Sequence, residues 1–156
     1  MTKSELYISE KRYNEIENKF STPRDGDILM TSVGTLGVTY RVKKNDKFYF
    51  KDGNLTWFKD FKLLSSPIIY LWLNSKYGQE QLDEIVIGST QAALTIIGLK
   101  NLTLKIPPRE KISLYEEKFK SIIVKMENNQ EQIRTLEKLR NTLLPKLMSG
   151  EVRVKL

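Results

Sequence analysis

Residues Arg109 to Leu144 read REKISLYEEKFKSIIVKMENNQEQIRTLEKLRNTLL, an unbroken run without glycine or proline. Apolar side chains return in it every seven residues. Ile112, Phe119, Met126 and Ile133 share one heptad position. Tyr115, Ile122, Leu136 and Leu143 share the position three residues later, where Asn129 also falls. This is the seam of a coiled coil. As helix the stretch spans ~54 Å at ~1.5 Å per residue, far beyond what a domain of about 100 residues can cover, so it must pair with a partner helix over much of its length. Asn129 on the seam favours one register at some cost in stability. Leu139 and Leu144 widen the apolar stripe, Pro145 is expected to end or kink the helix, Gly150 stops it, and Glu151 to Lys155 reads as a short extended tail.

Working backwards, Pro107-Pro108 marks the boundary, because proline is tolerated at a helix start and not inside one. The expected division is a mixed domain at 1–107 and a coiled-coil helix with its tail at 108–156. The first part mixes short β-type runs with turns, which predicts an α+β fold with a small mixed sheet. Ser9 caps a short helix through Ile16, with Tyr13 and Ile16 facing inward. Strands are expected at 27–33 and 38–42, joined through the tight connection Gly34 to Gly37. Lys43 to Lys47 makes a turn, Phe48-Tyr-Phe50 resumes the sheet, and the turn Asp52-Gly-Asn54 precedes Leu55 to Phe58. Ser66, followed by Pro67, caps a second helix that runs to Lys76 or Tyr77 before Gly78 interrupts it. The pattern from Gln79 to Ile87 is ambiguous, Gly88 to Gln91 is a polar loop, and Leu102 to Ile106 is the last strand.

Composition narrows the chemistry. Of 156 residues 40% are apolar and 29% charged, the balance of a soluble globular chain. No apolar run approaches the roughly 20 residues that span a bilayer, and the N-terminus lacks a signal-peptide pattern, which places the protein in the cytoplasm without a membrane partner. Cysteine and histidine are absent. Thiol nucleophiles, disulfides and Cys/His zinc sites are therefore excluded, and the usual general base of hydrolases is missing. No tight carboxylate cluster suggests a two-metal nuclease, and no P-loop or Rossmann glycine pattern appears. No cofactor and no metal site are expected. The net charge of +7 favours an anionic partner, nucleic acid or a solvated basic surface fitting it equally. The charge is spread, net +3 over 1–107 and net +4 over 108–156.

Candidate contacts to DNA each have a plainer reading. Thr31, Ser32 and Thr35 flank or lie within the Gly34–Gly37 turn and can donate to phosphate or base edges, but a hairpin whose glycines adopt positive φ explains the same residues and is preferred. In the loop Gly88 to Gln91, Gln91 can pair with adenine through two hydrogen bonds, and Ser89 and Thr90 can contact phosphate; a surface loop is the equal alternative. Lys43, Lys44, Lys47 and Lys51, interleaved with Phe48 and Tyr49, can track a phosphate backbone or simply form a solvated turn. Arg12, Lys19 and Arg24 are further phosphate candidates. Trp57, Phe58, Tyr70 and Trp72 read as core rather than stacking platforms.

Four stretches together resemble a known family. They are Tyr7-Ile-Ser-Glu10; Gly26-Asp-Ile-Leu-Met-Thr-Ser-Val-Gly-Thr-Leu-Gly37; Gly88-Ser-Thr-Gln91 leading to Leu99 and Ile106-Pro-Pro108; and Leu136-Glu-Lys-Leu-Arg-Asn-Thr-Leu-Leu-Pro-Lys-Leu-Met-Ser-Gly-Glu151. In this order they resemble the specificity subunits of type I restriction–modification systems, in a half-length form. The resemblance implies a target-recognition domain that reads double-stranded DNA. It implies a long helix that pairs antiparallel with a second one, in another copy of the chain or in another specificity polypeptide. Methyl transfer and cleavage would lie in separate modification and restriction subunits, the former docking on the exposed helix faces. The chain starts closer to its Tyr-Ile-Ser segment than members usually do. That keeps open an alternative, a truncated or donor-cassette fragment that pairs through its helix without reading DNA. An independent metal-dependent nuclease ranks last.

Overall fold

A computed structural model describes residues 7–50, 53–88 and 91–153. Helix α1, Glu10–Phe20, starts where Ser9 accepts a hydrogen bond from the Arg12 amide through its side chain and from Tyr13 through its carbonyl. It runs one turn past the expected end, and Tyr13 and Ile16 are half-buried on one face. Strand β1, Ile28–Thr31, is central in a three-stranded antiparallel sheet, flanked by β2, Thr39–Arg41, and β3, Leu55–Phe58. Its central place explains why Ile28, Leu29 and Met30 are all buried rather than alternating. Leu29 stands opposite Tyr40 on one side and Trp57 on the other.

Phe48 to Phe50 does not join this sheet, contrary to expectation. The rings pack on it instead: Phe48 lies edge-on to Tyr40 at 6.4 Å and Phe50 edge-on to Trp57 at 5.9 Å. Aromatic burial can be met by such side-chain packing without a backbone ladder.

Helix α2, Ser66–Leu73, has Ser65 at its N-cap position, one residue before the expected Ser66, and no side-chain capping bond is made there. The Ser66 hydroxyl is diverted to the Gly26 carbonyl. The helix stops at Asn74 and a new one, α3, Lys76–Glu84, begins under a Ser75 cap that accepts from the Gly78 amide. Gly78 therefore does not interrupt a helix; it sits buried in the first turn of α3. A Cβ there would run into the Trp72 carbonyl oxygen and the Leu73 backbone. Gly78→Ala should lower stability by about 1–3 kcal/mol despite the ~1 kcal/mol that alanine gains in helix propensity, since the obstacle is backbone that cannot swing away. Chemical denaturation checks this; an unchanged midpoint would show that α2 and α3 can separate freely.

Strands β4, Val86–Ile87, and β5, Ala93–Leu94, form a second small hairpin, followed by the short helix α4, Ile96–Lys100, under a Thr95 cap. The core gathers Ile28, Met30, Leu73, Leu82 and Leu94, with Phe58, Tyr70 and Trp72 packed against it. Leu102 to Ile106 forms no strand. Its backbone is served by a side chain: the Gln81 amide accepts from the Thr103 amide at 2.9 Å and donates to its carbonyl at 2.8 Å. These elements belong to one compact unit, Met1–Ile112.

The second unit is Ser113–Leu156, and nearly all of it is helix α5, Arg109–Met148. The 40-residue helix spans roughly 60 Å at ~1.5 Å per residue. It continues through Pro145 for a further turn, so the expected end there is corrected. Gly150, at φ +75°, follows the end of the helix, with its amide on the Leu147 carbonyl. The expected extended tail is corrected over Glu151 to Arg153, which bend back on the helix end, the Val152 amide donating to the Lys146 carbonyl at 3.2 Å and Glu151 pairing with Lys146 at 3.5 Å; the rest of it lies outside the described residues. The fold is α+β, small antiparallel sheets with short helices followed by one long helix.

Candidate nucleic-acid interface

The structure sorts the sequence-predicted residues of the first unit into two groups at opposite ends of the three-stranded sheet. At the end where β1 finishes, Val33 forms an isolated antiparallel bridge to Ala93, and the Leu94 amide donates to the Ser32 carbonyl at 2.9 Å. Val33 directly precedes Gly34, and Ala93 follows Gln91 by two residues. The bridge thus holds the Gly34–Gly37 turn beside the hairpin loop that carries Gln91, although more than fifty residues separate them in sequence. Thr35 and Gln91 are exposed there. Ser89 and Thr90 lie outside the described residues.

The turn itself is a hairpin, as preferred from sequence. Gly34 and Gly37 adopt φ +78° and +74°. Around Gly34 there is open space, whereas a Cβ on Gly37 would press on Gln79 and Leu82 of α3. The Thr31 hydroxyl is used in the turn, accepting from the Val38 amide at 3.0 Å. Ser32 departs from the sequence expectation: it is 3% exposed, with its hydroxyl against that of Thr56. A buried hydroxyl bonded within the sheet is a structural group, and a contact from it to phosphate would require opening the strand.

At the other end lie Arg24, Lys43 and Lys44. The Gly26 amide donates to the Val42 carbonyl at 2.9 Å and the Val42 amide to the Asp27 carbonyl at 2.8 Å, which sets the 24–27 turn beside the 43–46 turn. Arg24 and Lys44 are exposed and Lys43 is half-buried. Asp46 closes its turn by accepting from the Lys43 amide at 2.8 Å and from the Tyr40 hydroxyl. Lys47 turns to α1, its Nζ 3.5 Å from Glu10 Oε1 and 4.9 Å from the Tyr13 ring centre. Arg12 pairs with Glu15 at 3.0 Å, and Lys19 sits over the Phe20 ring at 5.2 Å. Lys51 lies outside the described residues.

In α5 the expected seam is an uncovered apolar row. Ile133 is 54% and Leu136 63% exposed, and Tyr115, Ile122, Met126, Asn129 and Leu143 are exposed as well, while Ile112 and Phe119 are half-buried. Tyr115 and Phe119, one turn apart, stack at 6.0 Å.

With this geometry in place, residues 2–146 match the profile of the type I restriction modification DNA specificity domain. The chain belongs to that family. Among its relatives is a protein of Haemophilus influenzae provisionally named a type I restriction enzyme specificity subunit, 31% identical over 108 residues, 68% of this chain and 26% of the relative. Another is the type I restriction enzyme MjaIX specificity subunit of Methanocaldococcus jannaschii, 30% identical over 95 residues, 61% of this chain and 22% of the relative. The match to this specificity-domain chain thus spans about a quarter of the length of these curated relatives.

Two residues of the specificity-domain chain escaped the sequence reading. Ile123 is buried, although it is off the heptad seam, and no periodic signal marked it. Lys59 holds its Nζ 4.4 Å above the centre of the Trp57 ring. Strand alternation was the available signal for Lys59, since residues two apart share a face. Among the described residues no group of three or more acidic side chains is gathered to hold a metal ion, and no helix is long and apolar enough to cross a membrane.

Proposed function

We infer that this chain is a base-reading head on a pairing rod: its first part recognises a specific sequence in double-stranded DNA, and its helix joins it to a second such unit. The observation that carries the reading is the uncovered apolar seam of α5 in a chain of the DNA specificity domain family. Exposed apolar surface at heptad spacing is a packing face without its partner. The head's contacts are assigned to Thr35 and Gln91 at the loop end, with Ser89 and Thr90 between them in sequence, and to Arg24, Lys43 and Lys44 at the opposite end. Arg12 and Lys47, each engaged with a glutamate, are secondary candidates. A glutamine amide offers adenine a donor and an acceptor at once, and lysines and arginines supply the sequence-independent attraction to phosphate.

The chain does no chemistry in this reading. Methylation and cleavage belong to modification and restriction subunits that the specificity unit directs to its site. If the partner helix is a second copy, two-fold symmetry presents two identical heads on one duplex. The bound site is then bipartite and palindromic, with a spacer between its halves. Selection of bound duplexes from a random pool by the full chain tests this. Two inverted half-sites are expected; one contiguous asymmetric site would overturn the paired arrangement, and no enrichment would overturn DNA reading by the chain alone.

A further inference from the structure

We propose that Lys59, braced on Trp57, is a phosphate-contacting residue, and that it acts with Arg24 and Lys44 as one basic edge of the head. The proposal rests on the DNA-recognition reading and extends it to a residue that neither composition nor motif singled out.

Trp57 is the anchor of this edge. Its neighbour Phe58 packs on the hydrophobic core, and the alternation of β3 leaves Trp57 on the other face of the strand. Its indole N–H donates to Asp27 Oδ2 at 2.9 Å, the carboxylate oxygen that also accepts from the Arg24 amide at 2.9 Å. One side chain thus ties the 24–27 turn to the ring. Phe50 abuts the same ring edge-on. Over its face lies the Lys59 ammonium, on an exposed residue. A lysine held by a cation–π contact has already lost part of its conformational freedom, so less remains to be lost when it meets an anion.

The charges nearby are unevenly spent. Asp27 is occupied by Trp57 and the Arg24 amide, Asp46 by Tyr40 and the Lys43 amide, and Asp25 lies 3.6 Å from Arg41. Lys59, Arg24 and Lys44 have no carboxylate within ion-pair distance among the described residues. The cross-links of Gly26 and Asp27 to Val42 place Arg24 and Lys44 at one end of the sheet, and the pairing of Phe58 with Ile28 places Lys59 at that same end. Asp60, exposed and at φ +58°, is the opposing charge beside them. Among the described residues the exposed cations at this end, Arg24, Lys44 and Lys59, outnumber the exposed carboxylates Asp25 and Asp60, and a row of cations suits a polyanion that runs past the edge more than a single small ion.

The experiment is the salt dependence of duplex binding by the full chain, for its selected site and for an unrelated duplex. Lys59→Gln should weaken both by the same factor and reduce the slope of log K against log[salt] by about 0.9, the release of one phosphate's counterions. Arg24→Gln should do likewise. Lys76→Gln removes the same charge from α3 and should leave the slope unchanged. Asp60→Asn should tighten binding, and asparagine tolerates the left-handed backbone at that position. Lys59→Gln indistinguishable from Lys76→Gln, while the unsubstituted chain binds with a steep salt slope, overturns this proposal and leaves DNA recognition standing. No salt-dependent binding by the unsubstituted chain overturns both.

Discussion

Replacing Ile133 by Asp should leave the chain monomeric at concentrations where the unsubstituted chain sediments as a dimer. Ile133 is 54% exposed in the chain, so the apolar surface that pairing would remove from water is available at that residue. Burying an isoleucine side chain is worth about 1.5–3 kcal/mol, and an unpaired carboxylate left in a water-excluded seam costs roughly 3–5 kcal/mol. In a two-fold pair both effects occur twice. Since about 1.4 kcal/mol is a factor of ten, even one copy of these effects should lower the pairing constant by more than about a thousandfold. The substitution costs a free helix no more than about 0.7 kcal/mol in propensity, so the head should melt as before. Gln132→Asp, next in sequence but off the seam, is the control and should still pair. An unchanged dimer in the Ile133 variant would remove the seam as the interface. A monomeric unsubstituted chain would instead assign the seam to a different specificity polypeptide.

Deleting Glu116 to Ile122, one heptad of α5, should shorten the spacer of the selected DNA site by about three base pairs and leave the half-sites unchanged. Seven helical residues are ~10.5 Å long, and base pairs stack ~3.4 Å apart along each strand. The deletion joins Tyr115 to Ile123 in the same heptad phase, so Met126, Asn129 and Ile133 keep their places on the seam. In an antiparallel pair the heads sit at opposite ends of the overlap, and its length is their separation. Selection repeated on the deletion variant gives the result directly. A spacer that did not move would mean that the helices do not set the distance between heads. Altered half-sites would mean that base reading is not confined to the head.

How much of this was readable beforehand follows the range of the interactions. Helix α5 and the exposed apolar row along it were legible because a heptad repeat is a local code. The Ser9 cap, the strands through Ile28 to Thr31 and Thr39 to Arg41, and the hairpin glycines were legible for the same reason. Each depends on neighbours within a few residues. The errors share the opposite cause. Gly78 looks like an interruption until the Trp72 carbonyl is seen to occupy the space of its missing side chain. Leu102 to Ile106 has the composition of a strand, yet Gln81 satisfies the Thr103 backbone from twenty-two residues away.

The sequence by itself determined that one long helix follows a mixed α+β part, that apolar side chains recur along that helix every seven residues, and that neither cysteine nor histidine is present to do chemistry. Its family followed from motifs in order along the chain. Only the tertiary structure decided which candidate contacts stand together. The bridge from Val33 to Ala93 sets the loop of Thr35 beside that of Gln91, the hydroxyl of Ser32 points inward to Thr56, and Lys59 lies on Trp57. The reason is physical: periodicity and capping are set by residues close in sequence, whereas the pairing of strands and the burial of a side chain are settled by whichever distant segment the folded chain brings against them.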